Sequence, residues 1–282
     1  MILGDNQYGK AETRVVRVDR GADRHTLHDL NVTVTVRGDF AGTYLSGDNS
    51  AVLPTDTMKN TVYAFARAGI GRIEDFGLRL ARHFVDSQPA VAAARVAIEE
   101  YGWHRRGPHM FVRDGSAVRT AVLTYDGGDA YAVGGVSDLV LLASTGSEFA
   151  GFVRDAYTTL PETTDRILAT SVTAAWRFAT VEGPWAAVDD TARTALLDAF
   201  AELPSRSLQQ TLYRMAARVL STCPELVEVR LTLPNRHHLL ADLAAFGLDN
   251  PNEVFVAADR PYGLIEGTVC REGAPPAPLA WW

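Results

Sequence analysis

The sequence predicts an α+β fold built from two consecutive units, each an antiparallel sheet with two helices on one face. Three observations carry that reading. Stretches of period-2 alternation indicate half-buried strands. Paired stretches with apolar residues three and four apart indicate helices. The order strand–strand, helix–helix, strand–strand then occurs twice, although the halves share no evident identity. Two helices over one sheet face make a two-layer unit. The units divide as residues 1–134 and 135–282.

In chain order, residues 12–20 and 27–37 read as strands, the second with Val32, Val34 and Val36 alternating with Asn31, Thr33 and Thr35. A turn rich in Gly47, Asp48, Asn49 and Ser50 follows, then Pro54. Met58, Val62, Phe65 and Ala66 mark one helix, and Ile73, Phe76, Leu80 and Phe84 a second, separated by Gly69 and Gly71. Strand patterns return over 91–104 and 117–125. In the second half, 131–144 and 171–182 read as strands, with a short helical or irregular excursion over 147–168. Leu196, Phe200 and Leu203 mark a third helix, and Leu208, Leu212, Met215 and Val219 a fourth. Val227, Val229, Leu231 and Leu233 alternate in a strand, and Gly263–Cys270 fits a last one. A half-buried sheet with a free edge invites a second copy, so an oligomer is expected. The closing Trp281-Trp282 pair is expected in a subunit contact.

Composition excludes several classes. The chain is 47% hydrophobic and 22% charged, an ordinary globular balance. Its net charge of −7 argues against a nucleic-acid coat. No apolar run approaches the ~20 residues of a membrane span, so no membrane partner is expected. Of 27 basic residues only Lys10 and Lys59 are lysines. The N-terminus lacks a secretory pattern. Cys223 and Cys270 make neither a disulfide framework nor a metal knuckle, which suits a reducing cytoplasm.

Generic catalytic signatures are missing: no dinucleotide glycine fingerprint, phosphate loop or nucleophile elbow. His25/His28, His104/His109 and His237/His238 are poorly spaced for a metal, so none is expected. What remains are short polar constellations with ordinary structural readings. Pro54-Thr55-Asp56-Thr57-Met58-Lys59-Asn60 reads as a helix-capping segment. Ser207-Leu208-Gln209-Gln210 reads as a capping box, leaving Gln209 in a first turn where anions are favoured. Asn235 and His237 read as turn residues, and Arg166 as a salt-bridged surface arginine.

Taken together and in order, these pieces change meaning. Tyr8-Gly9-Lys10, the segment Pro54 to Asn60, Glu148-Phe149-Ala150-Gly151-Phe152-Val153-Arg154-Asp155 with Tyr157-Thr158-Thr159-Leu160, Asp165-Arg166-Ile167-Leu168, Ser207-Leu208-Gln209, Leu233-Pro234-Asn235-Arg236-His237 and Gly263-Leu264-Ile265 resemble the urate oxidase (uricase) family. The resemblance runs from about residue 8 to residue 270.

It implies two tandem tunnelling-fold units, a homotetramer with active sites between subunits, and oxidation of urate by O2 and water to 5-hydroxyisourate and hydrogen peroxide. It implies no metal and no organic cofactor. By resemblance Arg166 and Gln209 clamp the purine edge, and Phe149 stacks on its face. Leu208, where familiar relatives have valine, offers its backbone. Thr55 and the backbone of Asp56 reach in from a neighbouring subunit, Ile265 lies near the oxygen side, and Asn235 with Thr55 holds O2 and later water. Lys10, Thr55 and His237 match the proton relay. These types suit the chemistry: a guanidinium and a carboxamide offer planar donors and acceptors, and a desolvated lysine can accept a proton. Arg236 stands where lysine is common, and the terminus lacks a Ser-Lys-Leu type address, so a bacterial, cytoplasmic enzyme is expected. Two rival readings remain: another tunnelling-fold enzyme of purines or pterins, or a non-catalytic purine-binding barrel.

Overall fold

The computed structural model describes residues 1–115 and 117–282. Strands β1 (Tyr8–Arg20) and β2 (His25–Gly38) form a hairpin, followed by a short helix α1 (Ala41–Ser46) and the long helices α2 (Thr55–Ala68) and α3 (Ile73–Ser87). Next come β3 (Val91–Glu100), the small hairpin β4 (Trp103–Arg105) and β5 (Phe111–Arg113), and β6 (Val118–Tyr125). The second half runs β7 (Ala130–Phe149), β8 (Thr163–Phe178), α4 (Trp185–Ala201), α5 (Leu208–Thr222), β9 (Leu226–Leu240) and β10 (Phe255–Cys270).

All long strands join one antiparallel sheet of order β1-β2-β3-β6-β7-β8-β9-β10. The two expected units are therefore halves of one continuous sheet, meeting at the β6–β7 pairing. The division after residue 134 lies within β7, whose start at Ala130 follows the turn over 126–129.

One face of the sheet is dry. Leu30, Val32, Val34 and Val36 of β2 are buried against Met58 and Val62 of α2 and Phe76, Leu80 and Phe84 of α3. Leu208, Leu212, Met215 and Val219 of α5 do the same for the second half, and one apolar cluster runs through both. Each such side chain contributes about 1.5–3 kcal/mol on burial. Among the described residues, no helix is long and apolar enough to cross a membrane.

The halves are also locked by charge. Arg119 of β6 bonds Glu74 of α3 (2.6 Å) and Glu100 of β3 (2.9 Å), and stands 3.2 Å from Asp189 of α4. Trp185 of α4 donates to Asp75 of α3 at 2.8 Å.

The sequence expectations need three corrections. The stretch 147–168 is not all excursion, because β7 continues to Phe149 and β8 begins at Thr163. Register shifts between Ala143 and Ser147 and between Ser147 and Phe149 break the alternation that would have revealed this. Strands β9 and β10 likewise run on to Leu240 and back to Phe255, where large residues such as Leu239, Leu240 and Val256 are exposed. The 91–104 strand ends at Glu100, and Trp103–Arg105 pairs with a separate strand. At the C-terminus, Arg230 lies 3.7 Å over the Trp281 ring and Arg37 lies 4.0 Å over the Trp282 ring of the same chain.

Candidate functional site

The predicted site residues fall into two groups in opposite halves of the sheet. Arg166, Phe149, Leu208, Gln209, Asn235 and His237 belong to β7, β8, β9 and α5. Lys10, Thr55 and Asp56 belong to β1 and α2.

Local pairing assembles the first group. Arg166 of β8 faces Ser147 of β7 across the ladder. Its Nε donates to the Ser147 hydroxyl over a long 3.5 Å, and its guanidinium stands 5.2 Å from the Phe149 ring. Phe149 stacks nearly parallel on Phe152, at 4.9 Å and 14°. The loop before α5 is stitched to the same strand. Ser205 N donates to Gly146 O (2.9 Å), and Glu148 N donates to Ser205 O (2.8 Å). The buried Ser205 hydroxyl also bonds Thr211 of α5 at 2.7 Å. Helix α5 therefore begins beside the strand that carries Phe149, with Leu208 buried and Gln209 exposed in its first turn.

The capping box read from the sequence is present in slightly altered form. Ser207 caps α5 by accepting from Gln210 N (3.2 Å), while Gln210 Oε1 accepts from Arg206 N (3.1 Å). The first-turn amides of α5 therefore face an anion-favouring helix start.

Arg166 is not the salt-bridged surface residue of its ordinary reading. It is half-buried, and no carboxylate among the described residues pairs with it. Burial alone holds its pKa below arginine's usual value. An arginine costs free energy when desolvated without an anion. Together with the Phe149–Phe152 stack, it makes a place suited to a flat anion.

Asn235 sits within β9, between Gly263 of β10 and Thr170 of β8. Thr170 anchors this point by donating to Pro234 O at 3.0 Å. His237 follows two residues on, opposite Ala258 and half-buried. Neither residue is in a turn, because β9 continues through both.

The second group stands at the β1 edge. Lys10 pairs with Val34, just before a register shift at which Glu12 adopts a positive φ of 53°. Thr55 is the first residue of α2, whose N-cap is Pro54, so the expected side-chain cap is not formed. Asp56 bonds Asn60 (3.0 Å) and Lys59. Lys59, more than Asn60 or Lys10, holds the Asp56 carboxyl below the usual carboxylate range. The second lysine thus bridges charges along one helix.

Strand β9 is six spacings from β1 in the sheet, about 29 Å of sheet at ~4.8 Å per strand. No hydrogen bond, ion pair or ring contact joins the two groups among the described residues. No cluster of three or more His, Cys, Asp or Glu suited to a metal occurs among them either. Sequence reasoning missed the Ser147–Ser205 stitch, which joins segments too distant in the chain to leave a local signal.

The family model described as Uricase matches residues 6–124 and 132–266. The uricase of Arthrobacter globiformis is 54% identical over 276 residues, covering 97% of this chain and 91% of that protein. The uricase of Dictyostelium discoideum is 39% identical, covering 95% of this chain and 97% of its own length. The crystal structure of the Arthrobacter globiformis uricase superposes with a TM-score of 0.96 at 53% identity, covering 100% of this chain and 99% of that one. A uricase from Bacillus fastidious shares the fold, with a TM-score of 0.80 at 23% identity, over 95% of this chain and 94% of that one.

Proposed function

The chain belongs to the uricase family, and on that premise we propose how its residues divide the work of urate oxidation. The reaction takes urate, O2 and water to 5-hydroxyisourate and hydrogen peroxide. Urate supplies two electrons to O2, two protons complete the peroxide, and water adds its hydroxyl to the purine.

Arg166 is the observation that carries the assignment: a half-buried guanidinium with no carboxylate partner among the described residues, set over an aromatic ring. It provides the planar fork for a carbonyl and ring nitrogen of the urate anion. Gln209 pairs with an adjacent N–H and C=O, the Leu208 amide adds a donor, and Phe149 covers the ring face. Asn235 and Thr55 hold O2 and then water above the ring. Lys10, Thr55 and His237 pass the protons, so the purine becomes more electron-rich before oxidation and the reduced oxygen is protonated after it. The reaction proceeds without a metal or organic cofactor, since the substrate itself is the reductant.

In one chain Lys10 on β1 lies five strand spacings from Arg166 on β8 and six from His237 on β9, so a working site takes Lys10, Thr55 and Asp56 from one protomer and the clamp with His237 from its partner. Two free sheet edges, β1 and β10, favour such pairing. Exposed Leu239, Leu240, Val256 and Leu264 on the β9–β10 hairpin suit a second contact. A homotetramer built from two such pairs satisfies both.

The test is an assay of the purified protein with urate, following loss of ultraviolet absorbance and peroxide together, with and without chelator. Stoichiometric peroxide unaffected by chelator supports the assignment. Activity that disappears with chelator and returns with a metal overturns the cofactor-free reading, and urate binding without peroxide overturns the oxidase reading.

A further inference from the structure

Tyr8 ties together the two segments that carry the proposed relay. Its hydroxyl donates to the Leu53 carbonyl at 3.2 Å and accepts from the Leu53 amide at 2.9 Å. Both backbone groups of one residue are thus held by a single phenol. The ring is half-buried and meets Phe40 edge-on at 4.8 Å and 83°, and Phe40 is fully buried. Burial raises the phenol's pKa, so it stays a neutral donor and acceptor.

The spacing gives this clip its meaning. Tyr8 is two residues before Lys10 on β1, and Leu53 is two residues before Thr55, which starts α2. Residues two apart on a strand share a face, so Tyr8 and Lys10 move together. Gly9 between them lies so close to β2 that a Cβ would stand 1.9 Å from the Val34 carbonyl, which pins the segment to its neighbour. On the other side, the start of α2 has no side-chain cap. The other bonds of the 47–53 loop stay local, with Thr43 donating to Asp48 and Val52 donating to Asn49.

We propose that Tyr8 is a positioning residue for urate oxidation, setting the Thr55 hydroxyl and Asp56 at a fixed place relative to Lys10. The inference rests on the relay assigned to Lys10 and Thr55. Proton transfer demands such registration, and a displacement of about 1 Å can cost about a hundredfold in rate.

Tyr8→Phe keeps the ring on Phe40 and removes both hydrogen bonds. It should lower kcat by between about ten- and a hundredfold, while anaerobic urate binding stays within about twofold, because the clamp residues Arg166 and Gln209 are unchanged. The double variant Tyr8→Phe/Thr55→Ala should be little slower than Thr55→Ala, since both act on one hydroxyl. Phe40→Leu serves as the contrast: it should lower thermal stability yet leave kcat near that of the parent protein. Wild-type kcat in Tyr8→Phe, or equal losses of binding and turnover, overturns the proposal while Lys10→Met and Thr55→Ala remain slow. If Lys10→Met and Thr55→Ala themselves turn over normally, the relay assignment falls, and this inference with it.

Discussion

The Arg166 guanidinium stands 5.2 Å from the Phe149 ring, and both residues are delivered by neighbouring strands paired through Ser147. A cation over a ring face is attracted by the ring's quadrupole, yet that attraction does not replace an anion for a half-buried arginine. Arg166→Ala should therefore raise the dissociation constant of urate by more than about a hundredfold, equivalent to about 3 kcal/mol. Anaerobic titration measures this directly. Saturation at the parental urate concentration would remove Arg166 from the clamp.

Lys10→Met separates chemistry from binding. The lysine is assigned to proton transfer, which typically supplies about a hundredfold or more in rate. Turnover should fall by that order, with KM changing by less than about threefold, since Lys10 is assigned to proton transfer and not to the purine clamp. Steady-state kinetics over a range of urate concentrations decide it. Parallel losses in binding and turnover would sink the assignment.

Gly135→Ala tests the continuity of the sheet. Gly135 sits in β7 between Thr120 of β6 and Ala175 of β8. A Cβ there would stand 2.3 Å from the Ala174 carbonyl and 2.8 Å from the Thr120 hydroxyl. The backbone must move, at a cost of about 1–3 kcal/mol. The variant should melt several degrees lower by calorimetry, and an unchanged melting temperature would show that the ladder yields there at no cost.

The cluster around Arg119 gives a pH dependence. Glu74 of α3, Glu100 of β3 and Asp189 of α4 surround it, with Arg193 and Asp190 of α4 nearby. Burial pushes the Asp189 carboxyl up to about 6, against the pull of Arg119. A carboxyl raised on folding binds its proton more tightly in the native state. Its stabilising contribution is present at low pH, lost as pH rises through about 6, and absent above that. Asp189→Asn mimics the protonated form. The variant's melting temperature, relative to the parent, should rise between pH 5 and 7.5, and a constant or falling difference would contradict the sign.

How much of this could be read in the residues depended on whether a contact was local. Val32, Val34 and Val36 declared β2, and Ile73, Phe76, Leu80 and Phe84 declared α3, because each buries one face at the period of its element. Phe149 and Arg166 could not be placed on strands by periodicity, since the ladder slips twice around Ser147. Their roles came from family resemblance. Ser205 on Gly146 and Glu148, Tyr8 on Leu53, and Arg119 on Asp189 are contacts between distant segments, and no spacing along the chain announces them. Thr55 looked like a helix cap by type, but Pro54 takes the capping position and leaves that hydroxyl to other work.

The proposed site, with Lys10 from one protomer and Arg166 from its partner, has a genetic corollary. An allele encoding Lys10→Met and one encoding Arg166→Ala should each be silent alone. Co-expressed, their products form mixed pairs in which one shared site inherits both defects and the other inherits neither. With random two-fold pairing, about a quarter of the parental sites return, so two loss-of-function alleles would complement within a single gene.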